Sequence, residues 1–490
     1  MKEKEKGNEM KVKDNKTPIV SGCLDLGIAK PDQYSTMVCK LVKEIEKNLN
    51  FVVLMEDRQP DFFLTYDKYD PDAFVMLNKH GPFQYYPNQS DLKSFVRAFN
   101  EKGVNVFYGF WIHENRWVYE RHPELLLIDE TGNRNHSDDF NSDFNPLSQL
   151  EKDSDYSINN GQQFVNYICR QYSKLSADFG FSGLFIGDGG MGFRRFGEED
   201  DDDNNNNNYS KAVRYYDYSS STIGQFVNSH YYQHHNSCMI FNNQSFTTDV
   251  LLNDIQSNHL EQWVEWNCFR WTQFYKILAE YLHANKHQFA AYNCMNYGPE
   301  RALIHGVDYR SIAHAGLDYL IFQTYDYAWS QYFRLHNKDI LTNLRELLCT
   351  KAYIHDSNTK LLFTEETADS VEKWDCPLSH TLGEVYAYSS TRIFRHGDWD
   401  PAVDGAFIVW INDTPFDELG YLGSVLKSSM SSHTSGKSMV WDDNNAKSLL
   451  NNLVHNIVVE KKKGNNNNNN GANHIIRKED LPAATDFKNI

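Results

Sequence analysis

The chain has 490 residues and a formal net charge of −18, long enough for one barrel of about 250 residues with additions. The acidic balance argues against nucleic acid as a partner, because phosphate contacts need a basic surface. The eight cysteines are scattered with no CxxC pair, so neither a zinc knuckle nor a dithiol redox motif is indicated.

The N-terminal stretch MKEKEKGNEMKVKDNK is charged and has no signal-like apolar run. No segment approaches the roughly 18 apolar residues of a membrane span. The expectation is a cytoplasmic, membrane-free protein with reduced thiols.

In chain order, residues 1–17 read as a disordered tail. Pro18–Gly27 is strand-like, and Met37, Leu41, Val42, Ile45 and Leu49 follow at helical spacing. Asn50–Asp57 is a second buried strand, a helix is expected near 90–103, and VNVFYGFWIHEN is the third strand. A helix near 160–178 feeds the fourth strand at Gly183. Residues 199–208, EDDDDNNNNN, are a low-complexity solvated loop.

Cys238–Gln244 (CMIFNNQ) is taken as the fifth strand. A long helix at 260–285 follows, with Trp263, Trp266, Phe269, Phe274 and Leu278 on or near one face. QFAAYNCMN, LDYLIFQTYDYAW and LLFTEETAD are the sixth, seventh and eighth strands. This alternation is that of an α/β protein built as a (β/α)8 TIM barrel over residues 18–370. The rival is a doubly wound open sheet, whose GxGxxG fingerprint after the first strand is missing. Residues 371–460 are a C-terminal extension containing the strand-like run Gly405–Asp413, and 461–490 are a low-complexity tail.

The chemistry concentrates at GFSGLFIGDGGMGF, from Gly180 to Phe193. A covered strand there stops at Asp188 and breaks into Gly189, Gly190 and Gly192. In a barrel the active site lies at the C-terminal ends of the strands. Carboxylates expected there are Asp25, Glu56, Asp57, Glu114, Asp188, Asp326, Glu365 and Glu366, with amides at Asn242, Asn243 and Asn293. Trp111, Gln323, Tyr325 and Trp329 complete a mouth suited to sugars. Hydroxyls bond to carboxylates and amides, and apolar ring faces stack on aromatics. The candidate substrate-binding residues are Glu56, Asp57, Trp111, Glu114, Asn242, Asn243, Asn293, Gln323, Tyr325 and Trp329. No metal site and no cofactor are expected: Cys23-Leu24-Asp25 offers no His-x-His, and His283 and His287 have no third ligand in view.

GFSGLFIGDGG resembles the fourth strand of several retaining glycoside hydrolase families, and Gly187-Asp188-Gly189 is similar to the nucleophile turn of α-fucosidases. The resemblance spans about ten residues and singles out no one family. The sequence departs from the α-amylase-like and α-glucosidase-like patterns, with Ser182 and Gly187 where those have Asp. In that register Gly187 holds the functional position and Asp188 follows it by one, which reverses the strand face. The resemblance implies glycosidic-bond cleavage or transfer on a carbohydrate substrate. Asp188 would be the nucleophile, with Asp326 or Glu365 as acid/base. The alternative is a carbohydrate-binding barrel that has lost the acid pair.

Overall fold

The computed structural model describes residues 18–25, 49–55, 89–112, 126–128, 147, 164–187, 217–233, 248–293, 306–324, 340–366, 378–395, 398–409 and 416–431. The strands are β1 (Ile19–Asp25), β2 (Phe51–Met55), β3 (Asn105–Trp111), β4 (Gly183–Gly187), β5 (Gln288–Asn293), β6 (Tyr319–Phe322), β7 (Lys360–Glu366), β8 (Arg392–Arg395), β9 (Asp398–Pro401) and β10 (Gly405–Val409). The helices are α1 (Gln89–Asn100), α2 (Phe164–Phe179), α3 (Ser220–Val227), α4 (His230–Gln233), α5 (Thr248–Asn258), α6 (Leu260–Ala284), α7 (Tyr309–His314), α8 (Ile340–Tyr353), α9 (Leu378–Ser390) and α10 (Phe416–Ser431).

Eight strands close into a parallel barrel in the order β1-β10-β7-β6-β5-β4-β3-β2, and β8 and β9 form a separate antiparallel pair. The expected fold is therefore present, with two strand assignments corrected. Cys238–Gln244 lies outside the described residues, and β4 pairs directly with β5, so the fifth place belongs to Gln288–Asn293. Gly405–Val409, expected in the extension, is the closing strand between β7 and β1. The barrel thus runs past residue 370, at least to Val409. The runs ending at Asn293, Phe322 and Glu366 each move down one place.

The strands are apolar on both faces because both are covered, the inner by the lumen and the outer by helices. Cys23, Phe51, Val53, Met55, Phe107, Phe185, Ala290, Tyr292, Ile321, Leu362, Phe407 and Val409 fill the lumen. Alternating residues such as Leu24, Val52, Leu54, Tyr108, Leu184, Ile186, Phe363 and Ile408 join the helices in the outer core. On α2, Phe164, Val165, Ile168, Tyr172, Leu175 and Phe179 are buried at spacings that make one helical stripe. The helix stops at Gly180, whose φ of 84° suits a residue without a Cβ. On α6, Trp263, Trp266, Trp271, Phe274 and Leu278 are buried. Phe269, expected on or near that face, is 44% exposed.

Followed once around the barrel, with each register extended along its strand, Ser21 leads back to β1 eight residues lower. That displacement is the shear of the (β/α)8 barrel, and it sorts inward positions into layers supplied by alternate strands. Ring contacts agree with the layering. Phe185 and Phe407 share one layer and stack at 5.6 Å, and Phe51 and Tyr319 share another at 4.7 Å.

Candidate active site

The layers fix what stands at the mouth. The floor comes from the even places of the barrel: Met55, Gly187, Gln323 and Val409. Above it lies a layer from the odd places, β1, β3, β5 and β7. Its positions are Asp25, Trp111, Cys294 and Glu366. Cys294 follows the end of β5 and lies outside the described residues.

Trp111 is half-buried. It packs edge-on to Tyr292 at 5.9 Å with planes at 76°. The indole lies so close over position 187 that any Cβ there would overlap it. Glycine at 187 is thus required by the ring above it. Tyr292, 5% exposed, sits one layer below the floor, with Phe185 beneath it at 6.1 Å.

The expected site residues fall into three groups. Trp111 and Gln323 both take inward positions by register, Trp111 in the upper layer and Gln323 in the floor, where it is 2% exposed. Two others lie in line with the outer series. Asn293 pairs in register with Phe322, a residue of the outer core. Glu365 pairs with Ile408, also of the outer core, and is 0% exposed. Position 366 pairs instead with Val409, a lumen residue. Glu56, Asp57, Glu114, Asp188, Asn242, Asn243, Tyr325, Asp326 and Trp329 lie outside the described residues.

The ends of β6 and β7 are tied by threonines. Thr324 N donates to Thr364 Oγ1 at 2.9 Å, Thr324 Oγ1 donates to the Thr364 carbonyl, and Thr364 Oγ1 is 3.3 Å from the Thr324 carbonyl. These bonds fix the chain one residue before Tyr325 and two before Asp326.

At the opposite end Asn105 Nδ2 donates to Gln288 Oε1 at 3.2 Å, and Gln288 Nε2 donates to the Tyr319 hydroxyl at 3.1 Å. Burial pushes the Tyr319 hydroxyl above the ordinary tyrosine range. Asp404 knots three strands there. Its backbone accepts from Ile19 N at 3.1 Å and donates to Leu361 O at 2.7 Å. Its Oδ2 accepts from Leu361 N at 3.0 Å and from Lys351 Nζ at 2.6 Å.

Among the described residues, no group of His, Cys, Asp and Glu is placed to hold a metal ion, and no helix is long and apolar enough to cross a membrane. Cys23, Cys169, Cys268 and Cys349 carry free thiols.

No family model matches the chain, and no curated protein does. Solved structures do. The glycoside hydrolase domain of PgaB (BpsB) from Bordetella bronchiseptica is 12% identical with a TM-score of 0.51, over 84% of this chain and 98% of that one. The catalytic domain of beta-amylase from Paenibacillus polymyxa is 11% identical with a TM-score of 0.51, over 85% and 99%. At such identities the likeness is one of fold. The chain is a (β/α)8 barrel of the architecture that glycoside hydrolases use, with no single family singled out.

Proposed function

We propose that this barrel binds a carbohydrate at its C-terminal mouth and cleaves or transfers a glycosidic bond with two carboxyl groups. The observation that carries the reading is the half-buried Trp111 in the uppermost layer of the described barrel, between strands whose ends bear carboxylates. A tryptophan face there is a stacking platform for the apolar side of a sugar ring. In this reading Asp188, which follows β4, is the nucleophile, and Asp326, after β6, is a candidate acid/base. Glu365 is the other candidate; it is fully buried, and its position pairs in register with Ile408 of the outer core.

The test is a panel of chromogenic glycosides with Asp188→Asn beside the parent. The variant is nearly isosteric and should fold normally while losing roughly a thousandfold or more in rate. Turnover within about tenfold of the parent would remove Asp188 from the reaction. A parent that binds sugars but hydrolyses none would turn the reading towards a binding barrel.

A further inference from the structure

We infer that the outer ridge of α6 pairs with the same ridge of a second copy of this chain, antiparallel about a twofold axis at Phe269. The inference is independent of the glycosidase reading. One face of α6 is buried from Trp263 to Leu282. The opposite face carries Glu261, Glu265, Phe269, Lys276 and Glu280, all exposed, at spacings of four and seven that set them in one line. Phe269 stands in the middle of that line and is 44% exposed.

A lone exposed apolar side chain is ordinary on a protein surface, but this one has rings beside it. Tyr231 of α4 lies 6.0 Å from it with planes at 43°. His230, itself exposed, is 4.1 Å from Tyr231. The three rings make one patch halfway along a helix of 25 residues.

The order of charges along the ridge selects the partner. At about 1.5 Å per residue, Glu265 and Glu261 lie roughly 6 and 12 Å from Phe269 towards the N-terminus. Gln273 and Lys276 lie roughly 6 and 10.5 Å from it towards the C-terminus. Two parallel ridges would set each charge against its like, which is unfavourable. Turned antiparallel about Phe269, they bring Gln273 level with the partner's Glu265. Lys276 then comes within about 1.5 Å of the height of the partner's Glu261. Glu280, farther out, is level with the partner's Asn258, which is neutral. The twofold repeats each contact. Within its own helix Lys276 reaches Glu280 at 3.9 Å, with the two side chains 52% and 67% exposed. So loose a pair leaves the ammonium able to bridge to a second carboxylate.

The size of the ridge sets the strength. The helix is about 36 Å long, and a strip about 12 Å wide along it covers roughly 400 Å² per copy. That is about half of what a stable interface buries, so the pairing belongs to the transient class, with a Kd between about 1 and 100 µM.

Sedimentation velocity of the full chain, run from about 1 to 500 µM, reads the association directly. We expect a concentration-dependent rise from one chain to two and no larger species, because a twofold interface closes on itself. Phe269→Glu should weaken the pairing at least about 30-fold. Lys276→Glu, and separately Glu261→Lys with Glu265→Lys, should each weaken it about tenfold by setting like charges together. Mixed in equal parts, these two reversed proteins bring opposite charges together and should pair at least as tightly as the parent. All the altered residues are exposed, and far-ultraviolet circular dichroism checks that each variant is folded. A parent that stays monomeric at the highest concentration overturns the inference. So does a dimer indifferent to Phe269→Glu, or a mixture of the reversed proteins that pairs no better than either alone.

Discussion

At the N-terminal end of the barrel, Asn105, Gln288 and Tyr319 bond in series across the lumen, and Asp404 joins β1, β7 and β10 to Lys351 of α8. At the C-terminal end the described lumen is bounded by a half-buried indole over a glycine. The lower end spends its polar groups on one another. None of the described residues of that network lies at the upper end. If the upper end binds a sugar as proposed, closure of the barrel and ligand binding should be separable by mutation.

The largest separate effect is expected at the lower end. Asp404→Ala removes the acceptor of Lys351 Nζ and of Leu361 N where both charged side chains are mostly buried, at 12% and 14% exposure. It should cost about 3–5 kcal/mol in urea unfolding and leave sugar binding by the folded fraction unchanged. A matching loss of sugar affinity in the folded protein would mean that the two ends are coupled.

A smaller effect is expected from Gly187→Ala at the mouth. The new methyl overlaps the indole of Trp111, which must move off its seat against Tyr292. We expect about 1–3 kcal/mol of destabilisation, a changed near-ultraviolet circular dichroism spectrum, and weakened stacking of any sugar ligand. An unchanged spectrum would show that Trp111 does not rest where described.

The smallest effect concerns pH at the lower end. His287 precedes β5, lies edge-on to Tyr172 at 5.3 Å, and is held by burial below the ordinary histidine range. The unfolded chain then takes up this proton more readily than the folded one. Its contribution is present above the unfolded value of about 6.5 and is lost as pH falls from there through the lower folded value. His287→Gln should flatten that part of the pH–stability curve, and an unchanged slope would assign the acid sensitivity elsewhere.

Much of the fold was legible because a strand covered on both faces is a short apolar run, and seven such runs are barrel strands. The failures share a cause. CMIFNNQ has the length and apolarity of a strand, so composition admitted it to the count. GAFIV was seen as a strand but had no assigned place, since its place depends on Ile19 and Leu361, far away in sequence. Glu365 and Glu366 are adjacent and chemically alike, and one residue of register puts one in line with the outer core and the other with the lumen. That register is set by pairing with β10, the strand whose place was missing. Trp111 was singled out because an aromatic at a strand end is informative by itself, and its place over position 187 needed the neighbouring strand. Gly187 was noted as a departure from an acidic pattern, and its role under the indole needed the neighbouring strand.

The Ser21 hydroxyl donates to the carbonyl of Ala406 across 385 residues of sequence, and this has a consequence for synthesis. While the ribosome extends the chain, β1 to β7 can pair only as an open sheet with β1 and β7 as bare edges. No shorter product can seal the cylinder before Gly405–Val409 emerges. Bare parallel edges invite pairing with other chains, so we expect fragments ending near residue 370 to aggregate while chains that include β10 and the α10 that follows it do not.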